Sequence, residues 1–253
     1  MKSALVVLSG GQDSTTCLFW AKEEFDVVHA VTFDYGQRHA RELDAARKVA
    51  DLAGVASHEV VTLGPILAGA SPLTNASKEL ERYESFEQMD KVIGDRVELT
   101  FVPMRNALFL TLAANRAAVL GVRNIVVGVC EQDNANYPDC CRVFIDGMED
   151  AINFALGMPL VSGVTIHTPL IDLSKAASIR LAKTLPGCME ALAFSHTSYA
   201  GEYPPVDRNH ANVLRAQGFL EAGEPDPLVV RAWREGLMAL PGTPNYDKVL
   251  ARA

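Results

Sequence analysis

Ser9-Gly10-Gly11-Gln12-Asp13-Ser14-Thr15 packs adjacent glycines, hydroxyls and a carboxylate into one short string. Adjacent glycines let the backbone turn sharply with its N–H groups facing inward. A helix opening there adds free N–H groups and the positive end of its dipole. Ser9, Ser14 and Thr15 supply hydroxyl donors, and Asp13 can hold Mg²⁺. That is the chemistry of gripping nucleotide phosphates. The glycines alone would read as an ordinary turn with Ser14 as a helix cap. The whole string at a strand–helix junction reads as a nucleotide site. No lysine follows as in GxxxxGK[ST], and the spacing is not GxGxxG, so kinase-type and dinucleotide loops are disfavoured.

The elements that must position this string alternate. Ala4 to Leu8 is a continuous apolar run, the pattern of a strand buried on both faces. A helix is expected from about Ser14 to Lys22, a strand from Asp26 to Phe33, a helix from Arg41 to Ala53 closed by Gly54, and a strand from Ala56 to Leu63. The stretch 64–97, with Pro65, Pro72 and many charges, breaks the rhythm and reads as an inserted loop or lid. The strand pattern resumes at Leu99 to Val102. It continues with a helix from Asn106 to Leu120, a strand from Asn124 to Val129, a helix from Phe144 to Leu156, a strand at Thr165 to Thr168 and a helix from Lys175 to Lys183. An irregular stretch follows Gly187. Beyond it come a helix from His210 to Gln217 ended by Gly218, one more helix containing Trp233, and a loosely held tail. Strands alternating with helices imply an α/β, doubly wound parallel sheet. Residues 1–187 form its α/β domain, and residues 188–253 form a C-terminal helical and loop extension packed on it.

Composition narrows the partners. The 253 residues are 49% hydrophobic and 21% charged, which suits one packed domain with an appendage and excludes global disorder. A formal net charge of -8 lacks the diffuse cationic surface of a nucleic-acid binder. No apolar run is long enough for a membrane span, and the N-terminal run lacks a secretory cleavage pattern. The 5 cysteines are an odd, scattered set without CxxC, which argues for a reduced cytoplasmic protein.

Further strings fall at strand ends, where one crevice can collect them. These are Phe33-Asp34-Tyr35-Gly36-Gln37-Arg38-His39, Val102-Pro103-Met104-Arg105-Asn106, Asp133 through Tyr137-Pro138-Asp139-Cys140, Thr168-Pro169-Leu170 and Ser174-Lys175. SGGxDS resembles the loop of the ATP-pyrophosphatase superfamily, with its adenine-nucleotide α-hydrolase fold. Taken with FDYGQRH, SPLT, VPMRN, YPDC, TPL-x-x-LSK, HTSY and LRAQGF, it resembles the 7-cyano-7-deazaguanine synthase family of the queuosine pathway. The likeness runs from Ala4 to about Gly223. It implies that ATP with Mg²⁺ adenylates the carboxylate of 7-carboxy-7-deazaguanine, that ammonia gives the amide, and that a second activation dehydrates the amide to the nitrile. It also implies a homodimer.

On this resemblance Ser9, Gly10, Gly11, Gln12, Asp13, Ser14 and Thr15 bind ATP. Asp13, Arg105 and Lys175 form the catalytic set, the two cations meeting phosphate or pyrophosphate. Tyr35, Gln37, Arg38, Asp133, Tyr137, Asp139 and Arg142 form the substrate side. Asp133 and Asp139 offer carboxylates to a guanine-like edge, Tyr137 stacks on the base, and Arg142 meets the substrate carboxylate. Read without the family, Tyr137-Pro138-Asp139 is a plain turn, and Arg105 and Lys175 read equally as solvated surface charges or as phosphate-binding cations. Met104 stands where a small residue is common, and there it is expected to narrow the nucleotide pocket.

The sequence departs from the family at its four zinc cysteines. Those positions hold Ser198, Val206, Asn209 and Asn212, none of which supplies a thiolate, so zinc is expected to be absent. A substitute site would need Cys188, His196, Asp207 and His210. The loss opens an alternative, in which a zinc-free relative adenylates the same acid and joins it to another amine on a protein or metabolite. A non-catalytic nucleotide-binding module and a tRNA thiolase are weaker readings. Intact Asp13, Arg105 and Lys175 oppose the first, and the acidic charge opposes the second.

Overall fold

The computed structural model describes residues 1–38, 41–69, 71–131, 135–159 and 162–251. Five parallel strands are β1 (Ser3–Val7), β2 (Val27–Asp34), β3 (Ser57–Thr62), β4 (Asn124–Val126) and β5 (Thr165–His167), in the order β3-β2-β1-β4-β5. The order reverses between β1 and β4, so the crevice for a ligand opens at their carboxyl ends. Helices α1 (Gln12–Glu24), α2 (Arg41–Ala53), α3 (Phe86–Ile93), α4 (Arg105–Leu120), α5 (Arg142–Ala155), α6 (Lys175–Thr184), α7 (Cys188–Leu192), α8 (His210–Ala222), α9 (Pro227–Arg234) and α10 (Asp247–Leu250), with short 3-10 turns at Pro138–Cys140 and Pro244–Tyr246, complete the described elements.

Period-2 alternation sends the strand side chains into two cores. Ala4, Val6, Val28 and Ala30 face α1, α2, α6, α7 and α8 through Leu18, Val49, Ile179, Leu192 and Phe219. Leu5, Val31, Phe33 and Ile125 face α4 and α5 through Leu110, Ala114, Ile145 and Ile152. Both faces of the central strands are thus covered, which is why β1 and most of β2 read as continuous apolar runs, whereas edge strand β3 has no buried residue.

Several elements differ from the sequence reading. The 64–97 stretch contains α3, whose Ser85 side chain accepts the Gln88 N–H at 3.2 Å while the Gln88 side chain accepts the Glu84 N–H at 2.5 Å. Met89 and Ile93 of α3 pack with Tyr83 against Leu214 of α8. Leu99 to Val102 is not a strand. The buried Glu98 carboxylate accepts the Thr100 N–H at 2.7 Å and folds that run into a turn. The stretch after Gly187 begins with α7. Helix α8 runs through Gly218 and is closed by Gly223, which adopts φ 71°. The tail is held too, since Tyr246 is buried against Val229 and Val230.

Gly218 interrupts nothing because it is a contact point. A β carbon there would lie 2.5 Å from Lys175 Cγ and 3.0 Å from its Cβ. The absence of a side chain lets α8 press on the first turn of α6 and fixes where Lys175 starts. Gly218→Ala is expected to destabilise the fold by about 1–3 kcal/mol, the usual cost of forcing extra volume into a packed core. A urea midpoint lowered at constant m-value checks this.

Candidate active site

The loop after β1 is shaped by its backbone. Gly10 adopts φ 83°, and a β carbon on it would meet the Glu42 carbonyl oxygen at 2.5 Å and the Ala46 nitrogen at 2.6 Å. Only glycine fits between the loop and α2. Gly11 precedes α1 as its N-cap residue without a side-chain cap, so the free N–H groups of the helix start face the crevice. Ser9 and Ser14 hydroxyls lie 3.0 Å apart, and the Thr15 hydroxyl donates to the Gly11 carbonyl at 2.7 Å. The carboxyl end of β4 closes the other side. A β carbon on Gly128 would stand 3.0 Å from the Asp13 carbonyl carbon and the Ser14 nitrogen.

A cavity of about 460 Å³ opens over this loop. Ser9, Gly11, Gln12, Asp13 and Ser14 line its floor, and Arg105 and Lys175 supply cations. Lys175 Nζ donates to both Asp13 carboxylate oxygens, at 3.0 and 2.9 Å. The Asp13 side chain keeps 28% exposure against 9% for Lys175, so the carboxylate retains a face toward the cavity. Gln12 is buried, and its Nε2 has no hydrogen-bond partner among the described residues. An orphaned donor beside inward-facing N–H groups, hydroxyls, two cations and a half-open carboxylate suits a polyphosphate carrying a divalent cation, so the residues fit ATP and Mg²⁺.

The other half of the cavity is aromatic. Tyr35, Phe109, Tyr137 and Tyr199 line it. The Tyr137 hydroxyl meets Thr100 Oγ1 at 2.6 Å, and its ring packs on Phe101 with centroids 5.5 Å apart. Burial lifts the Tyr137 phenol well above its usual range, with Tyr199 and Glu98 adding and Arg105 opposing. Burial works against the Arg105 charge as well. The neighbouring Tyr35, Tyr137 and Tyr199 oxygens outweigh that effect and hold the guanidinium protonated. Gln37 lines the cavity and accepts the Tyr35 N–H at 3.0 Å.

Not every expected residue reaches this space. Arg38 is exposed and donates to the Lys78 carbonyl at 3.2 Å, and Arg142 is exposed at the start of α5. Asp139 lies behind Asn106, whose Nδ2 donates to the Asp139 carbonyl at 3.1 Å. Burial raises the Asp139 carboxyl and Arg105 pulls it back. Asp133 lies outside the described residues. Met104 is 69% exposed and does not line the cavity, so the expected narrowing of the nucleotide pocket is not seen.

Other lining residues were not read as site residues. Glu42 lies in the first turn of α2 and faces Arg105, and burial lifts its carboxyl to about 7 against the pull of that guanidinium. Tyr199 lines the cavity as well, and His196 is offered by the sequence as a substitute metal ligand. His196 instead ties the C-terminal segment to the loop, its N–H donating to the Gly10 carbonyl at 2.8 Å. The chemistry-bearing type of Glu42 was visible, but nothing in its local string marks it.

Among the described residues no group of three or more His, Cys, Asp or Glu is placed to hold a metal ion. Cys188 is enclosed in the apolar core, its thiol pushed up to about 12 mainly by burial. His196 Nε2 is bonded to the Ser198 carbonyl at 2.8 Å. Asp207 is occupied instead by residues that stand in the cysteine positions. The Asn209 and Asn212 amides and the Ser198 hydroxyl all donate to its carboxylate. Asn209 also caps α8, accepting the Asn212 N–H at 3.1 Å. Val206, the remaining position, is 57% exposed.

A parallel doubly wound sheet with a glycine phosphate loop after its first strand, and with cations gathered at the reversal of strand order, defines an ATP-pyrophosphatase of the adenine-nucleotide α-hydrolase type. The family described as "Queuosine biosynthesis protein QueC" matches residues 3–223, and the chain belongs to it. The chain is 50% identical over 230 residues to the 7-cyano-7-deazaguanine synthase of Gloeobacter violaceus, covering 90% of this chain and 96% of that protein. It is 50% identical to the same-named protein of Laribacter hongkongensis, covering 90% and 94%. Identity is 38% to that of Legionella pneumophila, covering 90% and 96%. The protein is an ATP-dependent C–N ligase of this family, a member without the zinc cysteines. Among the described residues no helix is long and apolar enough to cross a membrane.

The Asp207 network makes a testable claim on stability. Asp207→Ala strands the Asn209 amide, leaves the Asn212 amide only the Asp207 main-chain carbonyl at 3.2 Å, and is expected to lower stability by about 1–3 kcal/mol. A strong zinc chelator is expected to leave the unfolding midpoint of the unsubstituted protein where it was. Parallel thermal melts with and without chelator measure both.

Proposed function

We propose that the protein adenylates the carboxylate of a 7-carboxy-7-deazaguanine-type acid and passes the acyl group to an amine other than ammonia, carried by a metabolite or a protein. The observation that carries this reading is the replacement of every thiolate position by Ser198, Val206, Asn209 and Asn212, while the loop, Asp13, Arg105 and Lys175 surround one cavity. In this reading the N–H groups of the loop, the Ser9 and Ser14 hydroxyls and Gln12 Nε2 receive the triphosphate. Thr15 acts from below by holding the Gly11 carbonyl. Bound Mg²⁺, reached through Asp13, supplies neutralisation of phosphate charge.

Tyr137 and Tyr35 flank the flat ring, with Gln37 beside them and Asp139 acting by holding Asn106. The acid's carboxylate oxygen attacks the α-phosphorus of ATP. Arg105 and Lys175 then meet charge as pyrophosphate departs, a fixed electrostatic aid that needs no rearrangement during the step. An amine next attacks the activated carbonyl and AMP leaves.

A second reading has its own support in the 50% identity to proteins named 7-cyano-7-deazaguanine synthase. There ammonia is the acceptor, and a second activation dehydrates the amide to the nitrile. Pure protein incubated with ATP, Mg²⁺, the deazaguanine acid and either ammonia or a peptide with a free amino terminus separates the two by mass spectrometry. A deazaguanine acyl mass on the peptide, with little nitrile from ammonia, is the expected result. Nitrile formed from ammonia with the peptide unmodified supports the second reading. Absence of acid-dependent pyrophosphate release overturns both. Lys175→Met is expected to slow that release by about 100-fold or more, as loss of a single transition-state donor does; single-turnover pyrophosphate assays check it.

A further inference from the structure

Among the described acids that line the cavity, Asp13 is held by Lys175 and the Glu131 carboxylate accepts the Arg142 N–H at 3.2 Å. Glu98 lies deeper, occupied by Thr100 and approached by the Tyr137 hydroxyl at 3.4 Å. Glu42 differs from them. Its main chain is pinned, since its carbonyl oxygen and the Ala46 nitrogen press on Gly10 so closely that no β carbon fits between. The stem of its side chain therefore starts at a fixed place beside the loop that would seat the α-phosphate. It opens on the cavity beside Arg105. Tyr35 and Tyr199 face it from the segments after β2 and α7, and the Asp13–Lys175 pair and His196 share the same space.

We infer that Glu42 is the catalytic proton acceptor for the amine that opens the acyl-adenylate, an assignment that rests on the function proposed above. In this step the nitrogen lone pair forms the C–N bond. The C–O bond to AMP breaks, its electron pair leaving on the phosphate oxygen. The proton lost by nitrogen moves to the Glu42 carboxylate, and water takes it when product leaves. Burial places that carboxyl near 7, so it is available as a base at neutral pH yet not too weak to hold the proton. Arg105 has a complementary part, keeping enough of the carboxylate ionised to act.

The test separates the two half-reactions. Acid-dependent ATP–pyrophosphate exchange reads adenylation, and transfer to hydroxylamine, an acceptor already unprotonated at neutral pH, reads aminolysis. In Glu42→Gln the ratio of aminolysis to exchange is expected to fall about 100-fold, the lower range for loss of a general base. Because a carboxyl with a raised pKa becomes a base only above that pKa, aminolysis by the unsubstituted enzyme should rise with pH through about 7. That limb should vanish in Glu42→Gln and return, at reduced amplitude, in Glu42→Asp. Exchange and aminolysis falling together, or an unchanged limb in Glu42→Gln, would overturn the assignment while leaving the proposed function standing. No acid-dependent exchange in the unsubstituted enzyme would remove the proposed function and this inference with it.

Discussion

Gly10 has backbone on its open side where other residues have a side chain: the Glu42 carbonyl and the Ala46 nitrogen leave no room for a β carbon. This close approach couples the phosphate loop to α2, and its positive φ turns the chain so that α1 begins one residue after Gly11. The Gly10 carbonyl is also the acceptor for the His196 N–H, so the C-terminal segment is registered on the same residue. On the far side Gly128 lets β4 approach the backbone of Asp13 and Ser14. Contacts between backbones, each possible only without a side chain, thus set the loop within its neighbours. A side chain at Gly10 would shift the loop, the Glu42 carboxylate and the roof of the cavity together.

The C-terminal segment shows a different solution to a staple. A structural zinc site organises a loop by binding several thiolates at once. Here a single carboxylate, Asp207, gathers donors from Ser198, Asn209 and Asn212, three of the positions where the family resemblance places cysteines. Each such bond to a carboxylate contributes about 1.5–3 kcal/mol net, still far less than a metal would. The segment draws further support from Arg215, buried and paired with Asp226 at 2.7 and 2.8 Å, which also donates to Ser195 and Thr197. Asp226 in turn caps α9 by accepting the Leu228 N–H at 2.9 Å. The load once assigned to one ion is spread over a polar network that reaches the cavity wall at Thr197.

The centre of the sheet was legible because β1 and β2 are buried on both faces, so Ala4 to Leu8 and the run before Asp34 stood out as apolar blocks. The phosphate loop was legible because its residues are contiguous. Most of what escaped was non-local. Gly218 looked like a helix stop, since its role depends on Lys175 from another helix. The Leu99 to Val102 run looked like a strand, since only the buried Glu98 carboxylate reveals the turn. Helix α3 was missed although Ser85 and Gln88 carried the spacing of a capping box, because the prolines and charges around them masked an eight-residue helix. Glu42 was invisible as a site residue for the same reason as Gly218. Its importance comes from what Gly10 and Arg105 bring against it.

Met104 ties these threads to the chemistry of the crevice. It adopts φ 65° immediately before Arg105, a left-handed conformation that costs a residue with a β carbon on the order of 1–3 kcal/mol. Its side chain is mostly in solvent, so packing does not offset that cost. The turn delivers the chain into α4 with Arg105 as its first residue, directed at Tyr35, Tyr137 and Tyr199 and within reach of Glu42. A relaxed backbone at position 104 would start the helix along another line and carry the guanidinium away from the tyrosines. Strain that no local contact repays, placed one residue before the cation shared by the phosphate and aromatic halves of the cavity, is strain retained for the position of that cation.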